Sequence, residues 1–314
     1  MKVEDSISLS EKMLKSQAEK IWVELRNGVT LEGGYAGNRM ITDVAYARGS
    51  DFASVKITPQ FPKNTATREV PINPGVILLF DGKNGRPLMV AGAKVFTAYA
   101  TSALTAVGAK YLARRNGSIL AIIGAGVEGR SHILALDKVV KLSRVKVYDI
   151  RKEQTSALLS DVSKSITAQM VASDSVHEAV KGADIIVTVT TANEPLIKAS
   201  WLKPGIFLAK IGSYQELELE VLLQSDKLVV DNWDYVSVRA NEIQALMKRG
   251  TLSKNSVYAE LPEIVAGKVK GRENDEEKIL FIALGTAAKY GQTAPYVYKR
   301  ALEYGVGKVL PQIW

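Results

Sequence analysis

Three glycines and one acid have the types and spacing of a nucleotide-binding turn. Gly124, Gly126 and Gly129 follow the apolar run Ile119–Ile123 in the pattern G-x-G-x-x-G, and a helical pattern begins directly after them. Asp149 ends the next predicted strand about 20 residues further on, as the pattern requires. The glycines permit a tight turn and let the backbone approach a pyrophosphate, which binds N–H groups at the helix N-terminus. The chain is therefore predicted to bind a dinucleotide; the alternative is a glycine-tolerant turn between a strand and a helix.

The predicted cofactor is NAD, because Asp149 would accept hydrogen bonds from ribose hydroxyls and repel a 2′-phosphate. Arg151 follows two residues later and could pair with such a phosphate, so NADP stays an alternative. Ligands of parallel sheets bind beyond the carboxyl ends of the strands. Residues that directly follow later strands are therefore added to the predicted cofactor site. Besides the three glycines, the predicted cofactor-binding residues are Ala125, Val127, Glu128, Asp149, Ile150, Arg151, Thr190, Thr191, Ser213 and Leu284.

Composition limits the remaining chemistry. The chain of 314 residues has no cysteine, which excludes disulfides and thiolate chemistry and predicts a cytoplasmic protein. The two histidines, His132 and His177, lie in a helical pattern and in a polar stretch. Neither is placed as a metal ligand or a catalytic base, so no metal site is predicted.

Charge and hydropathy indicate the class of partner. The net charge of +8 could indicate nucleic acid binding, but the basic residues are interspersed with acids, as in Lys268–Lys278. No apolar run reaches the roughly 18 residues that span a bilayer. The predicted partner is a small-molecule substrate, with neither nucleic acid nor membrane.

The order of the elements predicts an α/β protein with two domains. Strands alternate with helices over residues 116–287, which predicts a doubly wound parallel Rossmann sheet that binds the dinucleotide. Residues 1–115 and the C-terminal helix region 288–314 are predicted to form a second, α+β domain for the substrate. Near the N-terminus, Ser8–Glu11 has the form of a capping box and predicts a helix that ends near Asn27.

Taken together, these residues resemble the ornithine cyclodeaminase and mu-crystallin family, which also holds alanine dehydrogenases and ketimine reductases. The resemblance covers most of the chain, and the order and spacing of its markers make it specific. It implies a homodimer whose substrate lies between a dimer-forming α+β domain and the nucleotide domain. It also implies hydride transfer between the nicotinamide and a carbon that bears nitrogen. Its markers are KITPQFPKN (56–64), GVILLFDGKNGRPLMV (75–90), FTAYATSALTAVGAKYLAR (96–114), the glycine turn and ELPEIVAGKVKGRENDEE (260–277).

The resemblance assigns a catalytic role to Lys56, which matches the active-site lysine of the family. A lysine beside the reacting centre can polarise an imine or relay a proton. Period-two alternation places Lys56 on one strand face with Ser54 and Thr58; the alternative is a solvated surface lysine. Thr101 matches a threonine near the cofactor phosphates, or bonds only to its own helix backbone. Asn64, in the same marker as Lys56, is predicted to contact the substrate.

The sequence departs from the family where the substrate carboxylate should bind. Ala100 stands where an arginine is usual, and Gly34 or Tyr35 replaces a second arginine. The loop after Gly212 has no aspartate before Gln215, and Tyr290 replaces a common acid. An unpaired carboxylate in a closed pocket is costly. Another cation is therefore expected to bind the carboxylate, and the predicted candidates are Arg39 and Arg68.

The predicted function is that of an NAD(P)-dependent oxidoreductase, an imine reductase type that acts on a small amino or imino compound. One alternative is ornithine cyclodeaminase or amino-acid dehydrogenase activity proper, with Arg39 or Arg68 replacing the lost arginines. The other alternative is a non-catalytic, crystallin-like protein that binds the dinucleotide and has lost the chemistry.

Overall fold

Two separate sheets organise the chain, as seen in a computed structural model. The structure describes residues 1–32, 37–61, 64 and 70–311. The first sheet is antiparallel, and its five strands are paired in chain order. Its strands are β1 (Trp22–Thr30), β2 (Arg39–Ala47), β3 (Phe52–Gln60), β4 (Val76–Asp81) and β5 (Pro87–Gly92).

The inner face of this sheet is covered by the last helix of the chain. Helix α10 (Ala288–Glu303) packs against β2, β3 and β4, so the C-terminal helix returns to the N-terminal sheet as predicted. Ser54, Lys56 and Thr58 are buried on the inner face of β3, which confirms the predicted alternation. Two further helices, α1 (Val3–Ala18) and α2 (Ala93–Leu112), connect this region to the second sheet.

Eight parallel strands form the second sheet, in the order β12-β11-β13-β10-β9-β6-β7-β8. The chain runs outward from β6 to β8 and then returns to β9 on the other side of β6. Ligands of doubly wound sheets bind at this reversal, beyond the carboxyl ends of β6 and β9. The strands are β6 (Ile119–Ile123), β7 (Arg144–Tyr148), β8 (Gln169–Ala172), β9 (Ile185–Thr188), β10 (Phe207–Ile211), β11 (Lys227–Val230), β12 (Ala259–Glu260) and β13 (Ile279–Ala283).

Helices flank the parallel sheet on both faces and bury its nearly continuous apolar strands. The predicted doubly wound α/β sheet with a second α+β part is therefore confirmed. No helix in the described ranges is long and apolar enough to cross a membrane. The flanking helices are α3 (Val127–Asp137), α4 (Lys152–Val162), α5 (Val176–Val180), α6 (Leu219–Leu223), α7 (Trp233–Arg239), α8 (Asn241–Lys248) and α9 (Leu261–Val265).

The prediction for the first helix was wrong at both ends. Helix α1 begins at Val3, so Ser8–Glu11 lies inside it, and it ends at Ala18 rather than near Asn27. Lys20 has a positive φ of 56°, a left-handed conformation that cannot continue a helix. The residues that follow form β1, whose side chains alternate between the two faces of the sheet.

Candidate active site

A cleft of about 440 Å³ lies between the two sheets. One wall is the inner face of β1–β3 with helices α2 and α10. The other wall is formed by residues that follow β6, β9, β10 and β13 at their carboxyl ends. The structure brings these sequence-predicted residues together in the cleft wall: Lys56, Thr101, Gly126, Val127, Glu128, Thr190, Thr191, Ser213 and Leu284.

The glycine turn has the geometry that a bound pyrophosphate needs. Gly124 has a φ of +111°, which side chains rarely permit. A Cβ on Gly129 would lie 2.2 Å from the carbonyl oxygen of Gly124, so only glycine lets α3 start this close to β6. A Cβ on Gly126 would meet no atom within 4 Å. Gly126 is the N-cap of α3 and supplies no side-chain acceptor, so the first N–H groups of α3 can bind phosphate.

Asp149 lies at the edge of this turn and is already oriented. Its carboxylate accepts hydrogen bonds from the Ala125 and Arg151 N–H groups, at 2.9 Å each. The Arg151 side chain lies 3.6 Å from the same carboxylate, and Ile150 between them is 86% exposed. The acid therefore stands beyond β7 with an open surface beside it, as a contact to a ribose would require.

A matched pair of glycine variants separates folding from cofactor binding. Gly129→Ala should lower the free energy of unfolding by about 1–3 kcal/mol, because its Cβ collides with backbone that cannot move away. Gly126→Ala should leave the free energy of unfolding unchanged. It should weaken NADH binding at least about tenfold, because the added Cβ enters the space over the turn. Urea unfolding and NADH fluorescence titration measure the two effects. Equal NADH affinity in Gly126→Ala and the wild type would contradict the assignment of the turn.

Lys56 lies at the base of the cleft in a buried cluster of charges. Its Nζ donates a hydrogen bond to the Tyr290 hydroxyl at 2.9 Å and lies 3.9 Å from the Asp43 carboxylate. Arg26 also pairs with Asp43 and donates to the Leu284 and Gly285 carbonyl oxygens at the end of β13. Burial alone would raise the pKa of Asp43, but Arg26 and Lys56 hold it below its usual value. Asp43 is therefore ionised at neutral pH.

A second buried lysine lies close to the ring of Tyr290. Lys289 is 4% exposed, and its Nζ donates to the Thr101 hydroxyl at 3.0 Å. The Nζ atoms of Lys56 and Lys289 lie 4.4 Å and 5.0 Å from the centroid of the Tyr290 ring. Burial favours the neutral phenol, but the two ammonium groups outweigh it and lower the pKa of Tyr290 to about 8.

The other titratable groups near the turn are Glu128 and His132. Glu128 lies in the first turn of α3, and its Oε2 atom is buried without a hydrogen-bond partner in the described part of the chain. Burial raises the pKa of Glu128, and Lys289 and Lys56 oppose this. His132 contacts the Glu128 carbonyl oxygen at 2.7 Å and the Thr105 hydroxyl at 3.1 Å. Burial lowers the pKa of His132 to about 4, so this ring is neutral and engaged at both nitrogens.

Residues 36–305 match the sequence model of the ornithine cyclodeaminase/mu-crystallin family. The chain belongs to this family. A Δ1-pyrroline-2-carboxylate reductase of Bacillus cereus is 33% identical over 265 residues, which are 83% of this chain and 81% of the relative. The Thermococcus litoralis Δ1-pyrroline-2-carboxylate reductase, solved with NADH and L-proline, has a TM-score of 0.94 at 32% identity and covers 99% of this chain and 96% of its own.

An archaeal alanine dehydrogenase, solved as a dimer with NAD bound, has a TM-score of 0.90 at 27% identity. The alignment covers 100% of this chain and 96% of the dehydrogenase. The predicted ornithine cyclodeaminase/mu-crystallin membership is confirmed. So is the prediction of an oxidoreductase that uses NAD and acts on a small amino or imino compound.

Of the two cations predicted to replace the arginines of the ornithine cyclodeaminase/mu-crystallin family, the structure describes Arg39, which is not among the residues of the cleft wall. Arg39 is exposed at the first residue of β2, beyond the part of the strand that lines the cleft. Asn64 is not itself a lining residue, but its amide donates at 2.9 Å to the carbonyl oxygen of Pro71, which lines the cleft. Arg68, like Gly34 and Tyr35, lies outside the described residues.

Apart from Lys56, sequence reasoning missed the basic side chains that line the cleft. Arg239 ends α7, and its buried Nε has no hydrogen-bond partner among the described residues. Burial lowers the pKa of Arg239 to about 10, and Arg26 and Arg39 nearby contribute. No group of three or more metal-binding side chains occurs within the ranges that the structure describes. The basic lining residues are Arg26, Lys56, Lys94, Arg239 and Lys289, and the acidic ones are Asp43 and Glu128.

Proposed function

We propose that the chain uses NADH to reduce the C=N bond of a small imine that carries a carboxylate group. The observation that carries this proposal is the excess of basic over acidic side chains in the cleft wall, with Lys56 buried at its base. Such a cleft favours an anionic substrate. The Bacillus cereus and Thermococcus litoralis relatives, which are named for Δ1-pyrroline-2-carboxylate, support the same substrate class.

In this proposal the cofactor binds along the second sheet and supplies the hydride. Its phosphates bind the turn Gly124–Gly129, and Asp149 holds the ribose and disfavours a 2′-phosphate. Lys56 orients the substrate so that its nitrogen lies at the base of the cleft. Its ammonium group stabilises the negative charge that develops on that nitrogen. The limits 1–115 with 288–314 for the substrate domain, and 116–287 for the dinucleotide domain, are part of the proposal.

We further propose that Lys289 and Arg239 hold the substrate carboxylate. The ammonium group of Lys289 contacts Thr101, which directly follows Ala100, the position where the family usually has arginine. The ammonium group of Lys289 on α10 therefore compensates for the arginine that α2 lacks at Ala100. Arg239, with an unpaired Nε in the described structure, has the planar donor group that suits a carboxylate.

A substrate screen tests the function. The purified protein is mixed with NADH or NADPH and with imines that differ only in whether they carry a carboxylate, Δ1-pyrroline-2-carboxylate among them. We expect NADH oxidation at more than about one turnover per second with the carboxylate imines and much slower reaction without the carboxylate. Proline formation from ornithine would favour cyclodeamination. NADH binding with no turnover on any compound would favour the non-catalytic alternative.

We also propose a homodimer that forms through the outer face of the antiparallel sheet. An apolar row crosses all five strands on this face: Leu25, Val44, Val55, Leu78 and Val90 are consecutive cross-strand neighbours. Leu25 and Val90 are 59% and 60% exposed, which is unusual for a row of this length on a monomer. The archaeal alanine dehydrogenase dimer supports the proposal. The cytoplasmic location stays a prediction from composition.

Leu25→Asp should convert the dimer into a monomer, because the variant would bury an unpaired carboxylate at the interface. Light scattering after gel filtration, at micromolar protein, gives the mass directly. Leu223→Asp is the matched control, since Leu223 is 53% exposed on α6, on the parallel sheet. A Leu25→Asp protein that remains a dimer would show that another surface forms the interface.

A further inference from the structure

We propose that Tyr290 is the catalytic acid that protonates the substrate nitrogen, with Lys56 and Lys289 stabilising its phenolate. The inference rests on the proposed imine reduction and names the group that completes it. Hydride addition to an imine carbon leaves the electron pair of the C=N bond on nitrogen. A proton must reach that nitrogen in the same cleft, and general acids contribute to such transfers.

The hydrogen bonds of Tyr290 leave its own proton available. The phenolic oxygen accepts from the Lys56 Nζ at 2.9 Å, and an ammonium group can only donate. Within the ranges that the structure describes, no acceptor takes the Tyr290 hydroxyl proton. Tyr290 is 1% exposed and lines the cleft, so this proton faces the substrate volume and is shielded from bulk water.

The neighbouring acids and bases are less suited to donate. Asp43 accepts from Arg26 and is held in the ionised form. Both His132 nitrogens already have partners. Glu128 lies at the start of the α3 helix, where the cofactor phosphates bind in the proposal. Tyr290 lies instead beside Lys56, on the opposite wall of the cleft.

The charges that face Tyr290 set its acidity for this task. Lys56 from β3 and Lys289 from α10 outweigh burial and lower the pKa of Tyr290 to about 8. Asp43 from β2 opposes them, and Arg26 from β1 lies within the same charge cluster. With a pKa of about 8, the phenol is mostly protonated at neutral pH. It is also a stronger proton donor than a free tyrosine, whose pKa is about 10.

The step balances as one hydride and one proton. Hydride from NADH forms the C–H bond at the imine carbon, while the π electrons of the C=N bond move to nitrogen. The O–H bond of Tyr290 breaks as the N–H bond forms, which leaves a phenolate that is hydrogen-bonded to the Lys56 ammonium group and lies near that of Lys289. Water then returns the proton to Tyr290, so each turnover consumes one NADH and one proton from solvent.

Tyr290→Phe tests this directly, because it keeps the ring and removes only the hydroxyl. We expect single-turnover NADH oxidation at pH 7 to slow at least about 100-fold, with NADH affinity unchanged. The wild-type reduction rate should fall as pH rises through about 8, since phenolate cannot donate, and amine oxidation should rise over the same range. This dependence should be absent in Tyr290→Phe. Tyr296 lies on the same helix as Tyr290, and its hydroxyl donates to Asp5 of α1, so Tyr296→Phe should behave like wild type.

Ultraviolet titration of tyrosinate adds a readout that does not depend on turnover. The wild type should contain one tyrosine that ionises near pH 8, and Tyr290→Phe should lack it. If the wild type reduces imines but Tyr290→Phe keeps its rate and pH profile, Tyr290 is not the acid. If Glu128→Gln alone removes the alkaline fall in rate, Glu128 is the acid and the inference is overturned. A wild type that turns over no imine, yet titrates as expected, would overturn the proposed function instead.

Discussion

Lys56→Met should lower kcat/KM for imine reduction by roughly 10²–10⁴-fold while NADH affinity stays within about threefold. Methionine has a similar length and fills the buried space, so packing changes little. What is lost is the ammonium group that donates to Tyr290 and lines the cleft where the substrate is proposed to bind. NADH affinity should be retained because the cofactor phosphates are proposed to bind the glycine turn, on the other wall of the cleft.

Stopped-flow NADH oxidation and an NADH titration measure the two quantities. Lys83→Met is the matched control, because Lys83 forms an exposed ion pair with Asp51 at the surface. It should change neither quantity. Lys56→Met should also move the alkaline fall in the residual rate to higher pH, since one of the two ammonium groups that acidify Tyr290 is gone. Full activity in Lys56→Met would exclude a catalytic role for this lysine.

The cofactor region was predictable because its signals are local. The glycine turn, both flanking strands and Asp149 lie within one short βαβ unit, and each residue has a conformational or charge requirement of its own. The carboxyl-end rule then located Thr190, Thr191 and Ser213, which all line the cleft. The buried face of β3 followed from period-two alternation.

The substrate side was less predictable because its side chains meet only through tertiary packing. Lys289 and Thr101 are 188 residues apart in sequence, and neither lies in a pattern that indicates their contact. Sequence reasoning identified the missing arginine at Ala100 and named Arg39 and Arg68 as candidates to replace it, but it did not find Lys289, the replacement proposed from the structure. The way α10 packs back against the sheet determines which of its cations lies beside α2. Helical periodicity alone does not predict how α10 and α2 are aligned with each other.

The error at the first helix has a comparable cause. Ile21, Trp22 and Leu25 fit a helical spacing as well as a strand, and short apolar runs do not distinguish the two. Strand β2 was missed because its buried face includes the charged residue Asp43, which interrupts apolar alternation. Asp43 is tolerated there only because two cations meet it, and those cations come from the strands on either side.

That cluster also connects the two sheets, since Arg26 pairs with Asp43 and donates to the Gly285 carbonyl oxygen after β13. Asp43→Asn should therefore lower the free energy of unfolding by about 3–5 kcal/mol, because it leaves the buried charges of Arg26 and Lys56 uncompensated. Urea unfolding at pH 7 measures this. Asp51→Asn is the control, because Asp51 and its partner Lys83 form an exposed ion pair. This variant should change the free energy of unfolding by no more than about 0.5 kcal/mol.

The pH dependence of unfolding in Asp43→Asn tests whether Asp43 is ionised in the folded chain. The pKa of Asp43 is lower in the folded chain than its ordinary value, so its stabilising contribution is present at neutral pH and is lost as pH falls through the folded pKa. The difference between wild type and Asp43→Asn should accordingly be present in full at pH 7 and should shrink in acid. A difference that grows in acid would mean that Asp43 is protonated in the native cleft. Lys56 and Arg26 would then lack the counterion that holds them beside Tyr290.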